Sequence, residues 1–215
     1  SKVSFHLGHF INNLKEYEKW TVAAFDMTLS NTQIKSNIRT QFNDFTLNVG
    51  AQLGKLTNEN NIQSRLIPDA ITNDLGVYSI LDYEKEKIGL NSGLRLDYKK
   101  ISSDEKDYDK LFSAISYSSG VYFTESNHIL RLTYSGAFRS PHFSELFSDG
   151  VHHGTSRYEI GNTNLKLEKG HQFDFKYQWS NNHLGIVVNP FYQLITDFIS
   201  INPTDSFAQN NYRVY

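Results

Sequence analysis

Four histidines, His142, His152, His153 and His171, fall in or just after one stretch of the chain, alongside Glu145, Asp149 and Glu159. Neutral imidazole with carboxylate is a reasonable ligand set for zinc or iron. The spacing is looser than the paired spacing of a structural zinc site. His152 and His153 are adjacent, so they point in different directions if the chain is extended there. Ordinary hydrogen bonding at the surface is the competing reading for each histidine. Arg139 and Glu145 lie six residues apart. A rim guanidinium and a loop carboxylate can form a buried ion pair that holds the loop against the wall carrying it; two separately solvated charges are the alternative. Asp104 and Glu105 are also paired acids, but they sit in a charged run from Ser102 to Lys110 that reads most simply as a solvated loop. With no nucleophile elbow, phosphate loop or compact metal motif in the chain, an enzyme is the weakest reading.

The elements that must position these groups read as strands. From Ile88 to Tyr98, one face collects Ile88, Leu90, Leu94, Leu96 and Tyr98, and the other collects Gly89, Asn91, Gly93, Arg95 and Asp97. Phe45–Leu53, His128–Phe138 and His171–Trp179 show the same period of two. Weaker strands are predicted near Val3–Phe10, Trp20–Leu29, Gln33–Thr40, Asp74–Glu84, Phe112–Phe123 and Leu184–Ile195, for roughly ten in all. Short connections are expected at Lys85–Lys87, Glu125–Asn127 and Ser180–His183, and long ones at Gly54–Asn73, Lys99–Leu111, Arg139–Gly170 and Asn202–Tyr215. A loop as long as Arg139–Gly170 points to binding. Within it Gly150, Gly154 and Gly161 are expected to supply positive φ for tight turns.

Composition agrees with an all-β chain: Tyr and Phe number 13 and 15 while Pro is 4 and Cys 0, which favours pleated sheet. A net charge of −2 leaves no basic excess for a phosphate backbone, so nucleic acid is not an expected partner. No apolar run approaches the roughly 20 residues of a membrane helix, whereas a membrane-spanning strand needs only about 9–11. Alternation alone therefore leaves a transmembrane barrel level with a soluble β-sandwich. Aromatic residues at strand ends, such as Tyr98, Tyr134 and Trp179, and charges on the opposite faces favour the barrel.

One ordered set of residues decides between them. Tyr134-Ser-Gly-Ala-Phe-Arg-Ser-Pro-His-Phe-Ser-Glu-Leu-Phe147 is followed by Asp149-Gly-Val-His-His-Gly-Thr155, Tyr158-Glu-Ile-Gly-Asn-Thr-Asn-Leu165 and Glu168-Lys169. Phe138, Arg139, Pro141, Glu145, Leu146, Gly161, Asn162, Leu165 and Glu168 together resemble the barrel signature of TonB-dependent outer-membrane receptors. A second, less diagnostic likeness runs from Asn60 to Ala70 and on to Asp97. The resemblance implies antiparallel strands of a plugged barrel of about 22 strands in the outer membrane of a Gram-negative bacterium. It implies import of a scarce nutrient, a metal ion or metal chelate, energised by the TonB complex through a plug domain and needing no resident cofactor. His-His-Gly-Thr is similar to receptors thought to import zinc, and other members take up haem or ferric siderophores. With no plug, no TonB-contacting segment and no visible signal peptide, residues 1–215 are expected to be part of such a barrel domain, unstable or prone to edge pairing when isolated. A passive porin-like barrel and a soluble binding sandwich are the rivals.

Overall fold

The computed structural model describes residues 1–19, 22–62, 66–208 and 211–215, with backbone alone at residues 18, 19, 22, 24 and 153. Seven strands follow one another as an antiparallel meander: β1 (Lys2–Lys19), β2 (Val22–Phe42), β3 (Phe45–Asn60), β4 (Ala70–Lys85), β5 (Ile88–Ser103), β6 (Tyr108–Glu125) and β7 (His128–Arg139). A short helix, α1 (Phe143–Phe147), and a hairpin of β8 (Asp149–His152) and β9 (Arg157–Ile160) come next. Then β10 (Glu168–Ser180) returns to pair with β7. Two short strands, β11 (Gly185–Val188) and β12 (Phe191–Thr196), both pair with β10. Among the described residues, ten strands form one continuous sheet rather than two packed ones, and β8–β9 stands apart as a two-stranded sheet.

Register carries one face across every ladder. Leu94 lies opposite Ser79 on β4 and Tyr117 on β6, Tyr117 opposite Gly136, and Gly136 opposite His171. This outer face holds Leu47, Val77, Leu90, Leu94, Leu132, Phe173 and Phe175, and side chains such as Leu94, Leu132 and Phe173 remain about half exposed because no protein covers them. The inner face carries Asn48, Gln52, Asp74, Arg95, Asp97, Arg131, Asp174 and Lys176. An apolar exterior with a polar interior is the inverse of a soluble sandwich and suits a barrel wall between lipid and a wet lumen.

The three predicted short connections lie at one end of the sheet, with a fourth at Asn43–Asp44. Asn43, Glu86 and Ser126 take positive φ there, whereas no glycine among the described residues does, which corrects the expectation for Gly150, Gly154 and Gly161. Several boundaries also differ from expectation. Two predicted strands fuse into β2, whose Ser30, Asn31 and Thr32 are polar ladder positions rather than a turn; Trp20 lies outside the described residues. The predicted long connections at 54–73 and 99–111 shrink to 61–69 and 104–107. Conversely, Leu184–Ile195 divides at Pro190, which has no N–H for the ladder and instead accepts from the Phe175 amide at 3.1 Å.

The extra strand length has a physical reason. At the loop end the alternation reverses: Lys100 and Ser102 continue the outer face, while Ile101 and Phe112 turn inward and are buried with Ala70 and Ile67. A strand of 16 residues spans about 50 Å, more than a tilted bilayer crossing requires. Beyond the membrane the outside is wet, and the apolar groups go to whatever packs inside.

Candidate ligand-binding site at the loop end

What packs inside is the segment after β7. Pro141 cannot donate to a ladder, so β7 stops at Arg139 and the chain turns over the inner face. Phe143, Leu146 and Phe147 of α1 are each at most 2% exposed and fill a core with Ile67, Ala70, Ile101 and Phe112, flanked by Leu165. Five residues make too short a helix to persist unaided. It is held at both ends. The Glu145 carboxylate accepts from the His142 amide at 2.7 Å, closing the first turn. Past the last turn, the Gly161 amide donates to the Ser148 carbonyl at 2.7 Å and the Asn162 amide to the Glu145 carbonyl at 2.8 Å. A side chain on Gly161 would place its Cβ 2.5 Å from Leu146 C and Phe147 N, so close approach is what requires glycine there.

Arg139 fastens this assembly to the wall. Its Nη1 donates to both Glu145 carboxylate oxygens at 2.8 Å, and Nη2 reaches Glu168 Oε2 on β10 at 3.2 Å. Glu168 also accepts from the Ile199 amide at 3.0 Å. The predicted Arg139–Glu145 pair is thus present, half-buried rather than buried, and it extends to a third charge. The signature residues converge on this node and on the core beneath it, apart from Phe138, whose register position is on the outer face.

The β8–β9 hairpin carries a second polar cluster. Glu159, 7% exposed, accepts from Arg157 Nε at 2.7 Å and is paired with His152 Nδ1 at 2.8 Å. Burial raises its carboxyl pKa, but the bonds from His152 and Arg157 outweigh this and hold it below the usual carboxylate range. The C-terminal residues brace the hairpin: the Tyr158 amide donates to the Arg213 carbonyl and the Ile160 amide to the Tyr215 carbonyl, both at 3.0 Å, and the Arg157 guanidinium lies 5.4 Å from the Tyr215 ring centre. A cavity of about 900 Å³ opens between this hairpin, α1 and the strand ends of β1 and β2, with Glu16, Glu145, His152, Arg157, Glu159 and Tyr215 on its walls. A second of about 490 Å³ lies between His142 and Arg139 on one side and Gln33, Asp74, Arg95 and Asp97 of the inner wall on the other.

The seven predicted ligand-binding residues are therefore distributed. Glu145, His152 and Glu159 reach the larger cavity and His142 the smaller. Asp149 accepts from the Tyr158 hydroxyl at 3.0 Å and lies 3.7 Å from Lys106 Nζ. The side chain of His153 lies outside the described set. His171 is on the outer face, bonded to Tyr117 and Tyr134. Among the described residues, no three of His, Asp and Glu gather as a metal site. Sequence reasoning missed Glu16, Arg157 and Tyr215. Arg157 stands two residues before Glu159 in an extended segment, hence on the same face, and could have been found; Glu16 and Tyr215 arrive through tertiary folding alone.

Comparison with known proteins bears on what this wall belongs to. The sequence matches the family described as TonB dependent receptor-like, beta-barrel, over residues 7–215. No curated protein matches it. Among solved structures, the siderophore receptor PirA from Pseudomonas aeruginosa superposes with a TM-score of 0.69 at 17% identity, over 88% of this chain and 37% of that one. The Serratia marcescens hemophore receptor HasR, solved with its hemophore HasA and heme, gives 0.68 at 14% identity, over 99% and 43%. The FrpB iron transporter from Neisseria meningitidis gives 0.66 at 15%, over 88% and 31%. The chain thus spans about a third to two-fifths of the length of these proteins. With the apolar exterior and the inward-folded loop, the match over nearly the whole chain makes residues 7–215 a β-barrel segment of the TonB-dependent receptor family, resident in the outer membrane of a Gram-negative bacterium.

Proposed function

We propose that this segment forms part of a receptor that imports a metal chelate across the outer membrane, energised by TonB through a plug domain, in a barrel of about 22 strands. The observation that carries this reading is the inward fold of residues 140–167, which places His152, Arg157, Glu159 and Glu145 around a cavity on the inner face. Solved proteins of the same fold include a siderophore receptor, a hemophore receptor bound to its hemophore and heme, and an iron transporter, which agrees with such cargo. A chelate fits the chemistry better than a bare ion. The Glu145 and Glu159 carboxylates already accept bonds from Arg139, the His142 amide, Arg157 and His152, so a naked cation would have to displace them. Arg157 and His152 instead offer donors to the anionic oxygens of a siderophore or to haem propionates.

Calorimetry on the intact receptor tests this, with a ferric siderophore, haemin and zinc titrated separately. Joint replacement of His142, His152 and His153 by alanine should weaken the cargo that binds at least tenfold. Unchanged affinity for all three would remove the loop from cargo recognition.

A further inference from the structure

The second cavity, of about 490 Å³ beneath the loop, holds charges that the loop's own network leaves unused. Its roof is Pro141, His142 and Phe143, and its floor is the inner wall. It shares no lining residue with the larger cavity. Of the formal charges around it, Arg139 is committed to Glu145 and Glu168, and Arg95 Nε donates to both Asp97 oxygens at 2.8 Å. Asp74 and Lys99 remain. Both are half-buried, and among the described residues neither side chain makes a hydrogen bond or an ion pair.

Their register makes that unexpected. Asp74 on β4 lies directly opposite Lys99 on β5, about 5 Å away between Cα atoms, where opposite charges ordinarily pair. The same row runs on to Gly54 on β3 and Gln33 on β2. A side chain on Gly54 would collide with both carboxylate oxygens of Asp74, so the missing Cβ is the space into which the carboxylate turns, away from Lys99. Gln33 and Gln52 line the cavity on that side. The Lys99 ammonium is close enough to His142 to help lower the pKa of that ring.

We propose that this cavity binds the zwitterionic head of an α-amino acid, free or at the end of a larger solute, its ammonium held by Asp74 with the Gln33 and Gln52 carbonyls and its carboxylate by Lys99. The residues select both charges at once. An ammonium has three protons to donate and meets one carboxylate and two amide oxygens; a carboxylate meets the cation that no other group has claimed. A plain anion faces Asp74 and a plain cation faces Lys99, so each is disfavoured. Leu56, Ile101 and Phe143 give the ligand's carbon chain an apolar side. The site does not depend on the metal-chelate reading of the larger cavity, to which neither Asp74 nor Lys99 belongs.

The test is calorimetry on the intact receptor with L-leucine, Nε-benzoyl-L-lysine, L-leucinamide and N-acetyl-L-leucine. Leucine or Nε-benzoyl-lysine should bind, and leucinamide and N-acetyl-leucine, each lacking one charge, should be weaker by about tenfold. Binding of leucine alone assigns the site to free amino acids, and binding of Nε-benzoyl-lysine alone to the end of a larger solute. Asp74→Asn should weaken the zwitterion about tenfold without weakening N-acetyl-leucine, and Lys99→Gln should do so without weakening leucinamide; the probe left unharmed shows that each variant is folded. Gly54→Ala, which fills the space the carboxylate uses, should act as Asp74→Asn does. No binding of either zwitterion at millimolar concentration, equal affinity for all four probes, or unchanged zwitterion affinity in both charge variants overturns the proposal.

Discussion

The two halves of each long strand obey opposite rules. In the half near the short turns, apolar side chains point out and polar ones in, as with Leu90 and Leu94 against Asn91 and Arg95. At the loop end of the same strand, Ile101 points in and is 1% exposed, while Lys100 points out and pairs with Asp109 at 2.9 Å. The lower half borrows its apolar partner from the bilayer; the upper half must supply its own, and α1 is that partner. A substitution should therefore be judged by its half as well as by its residue type. Phe147→Ala empties the centre of the loop core and should cost about 3–5 kcal/mol of loop docking. Leu94→Ala, on the lipid face, opens no protein cavity and should cost under about 1 kcal/mol, because lipid fills the space. Amide exchange across residues 142–165 of the intact receptor reads the difference. Equal protection in the two variants would break the contrast.

The next effect separates the two polar clusters. Arg139 joins a wall strand to the loop and to a second wall strand, whereas Arg157 and Glu159 join the hairpin mainly to itself. Arg139→Ala leaves Glu145 and Glu168 without their guanidinium and should release the loop by about 2 kcal/mol. Arg139→Lys, a point charge without the fork, should fall between. Arg157→Gln should loosen only residues 149–160. If Arg139→Ala and Arg157→Gln expose the same amides to the same degree, the loop has a single latch rather than two.

This division also explains what could be read from the sequence. The lipid-facing half was legible because a bilayer on one side and water on the other impose period two; Ile88–Tyr98 announces itself. The upper half was opaque because its phase reverses near Lys99, so β5 and β6 looked like the ends of a loop. Within the candidate site, Arg139 and Glu145 could be paired from their spacing and Pro141. Gly161 was misjudged: it looked like a turn residue, and its need is contact with the backbone of Leu146 and Phe147, which only the folded strap reveals. His171 counted as a loop ligand by proximity, although its own alternation with Phe173 and Phe175 already placed it on the lipid face.

The smallest effect is a pH dependence that should strike the loop in two steps. Burial is the main cause that lowers the His142 pKa, helped by Arg139 and Lys99 and opposed by Glu145. A histidine depressed in the folded state contributes stability that is complete above its ordinary value of 6.5 and declines as pH falls below it. Protonation also removes the acceptor that His142 Nδ1 offers the Ser144 amide, a long bond at 3.4 Å. The ring retains an open edge to solvent, so the loss should be small. Glu159 is likewise depressed, so its contribution is complete above the ordinary carboxylate value of 4.5 and declines only below that. Exchange at residues 142–147 should therefore begin to rise just below pH 6.5, with residues 149–160 unaffected until below pH 4.5. His142→Asn, which can still accept from the Ser144 amide, should abolish the first step and leave the second. A single transition shared by both segments would mean that the hairpin and the helix open as one unit, and that the two clusters are coupled through the cavity they share.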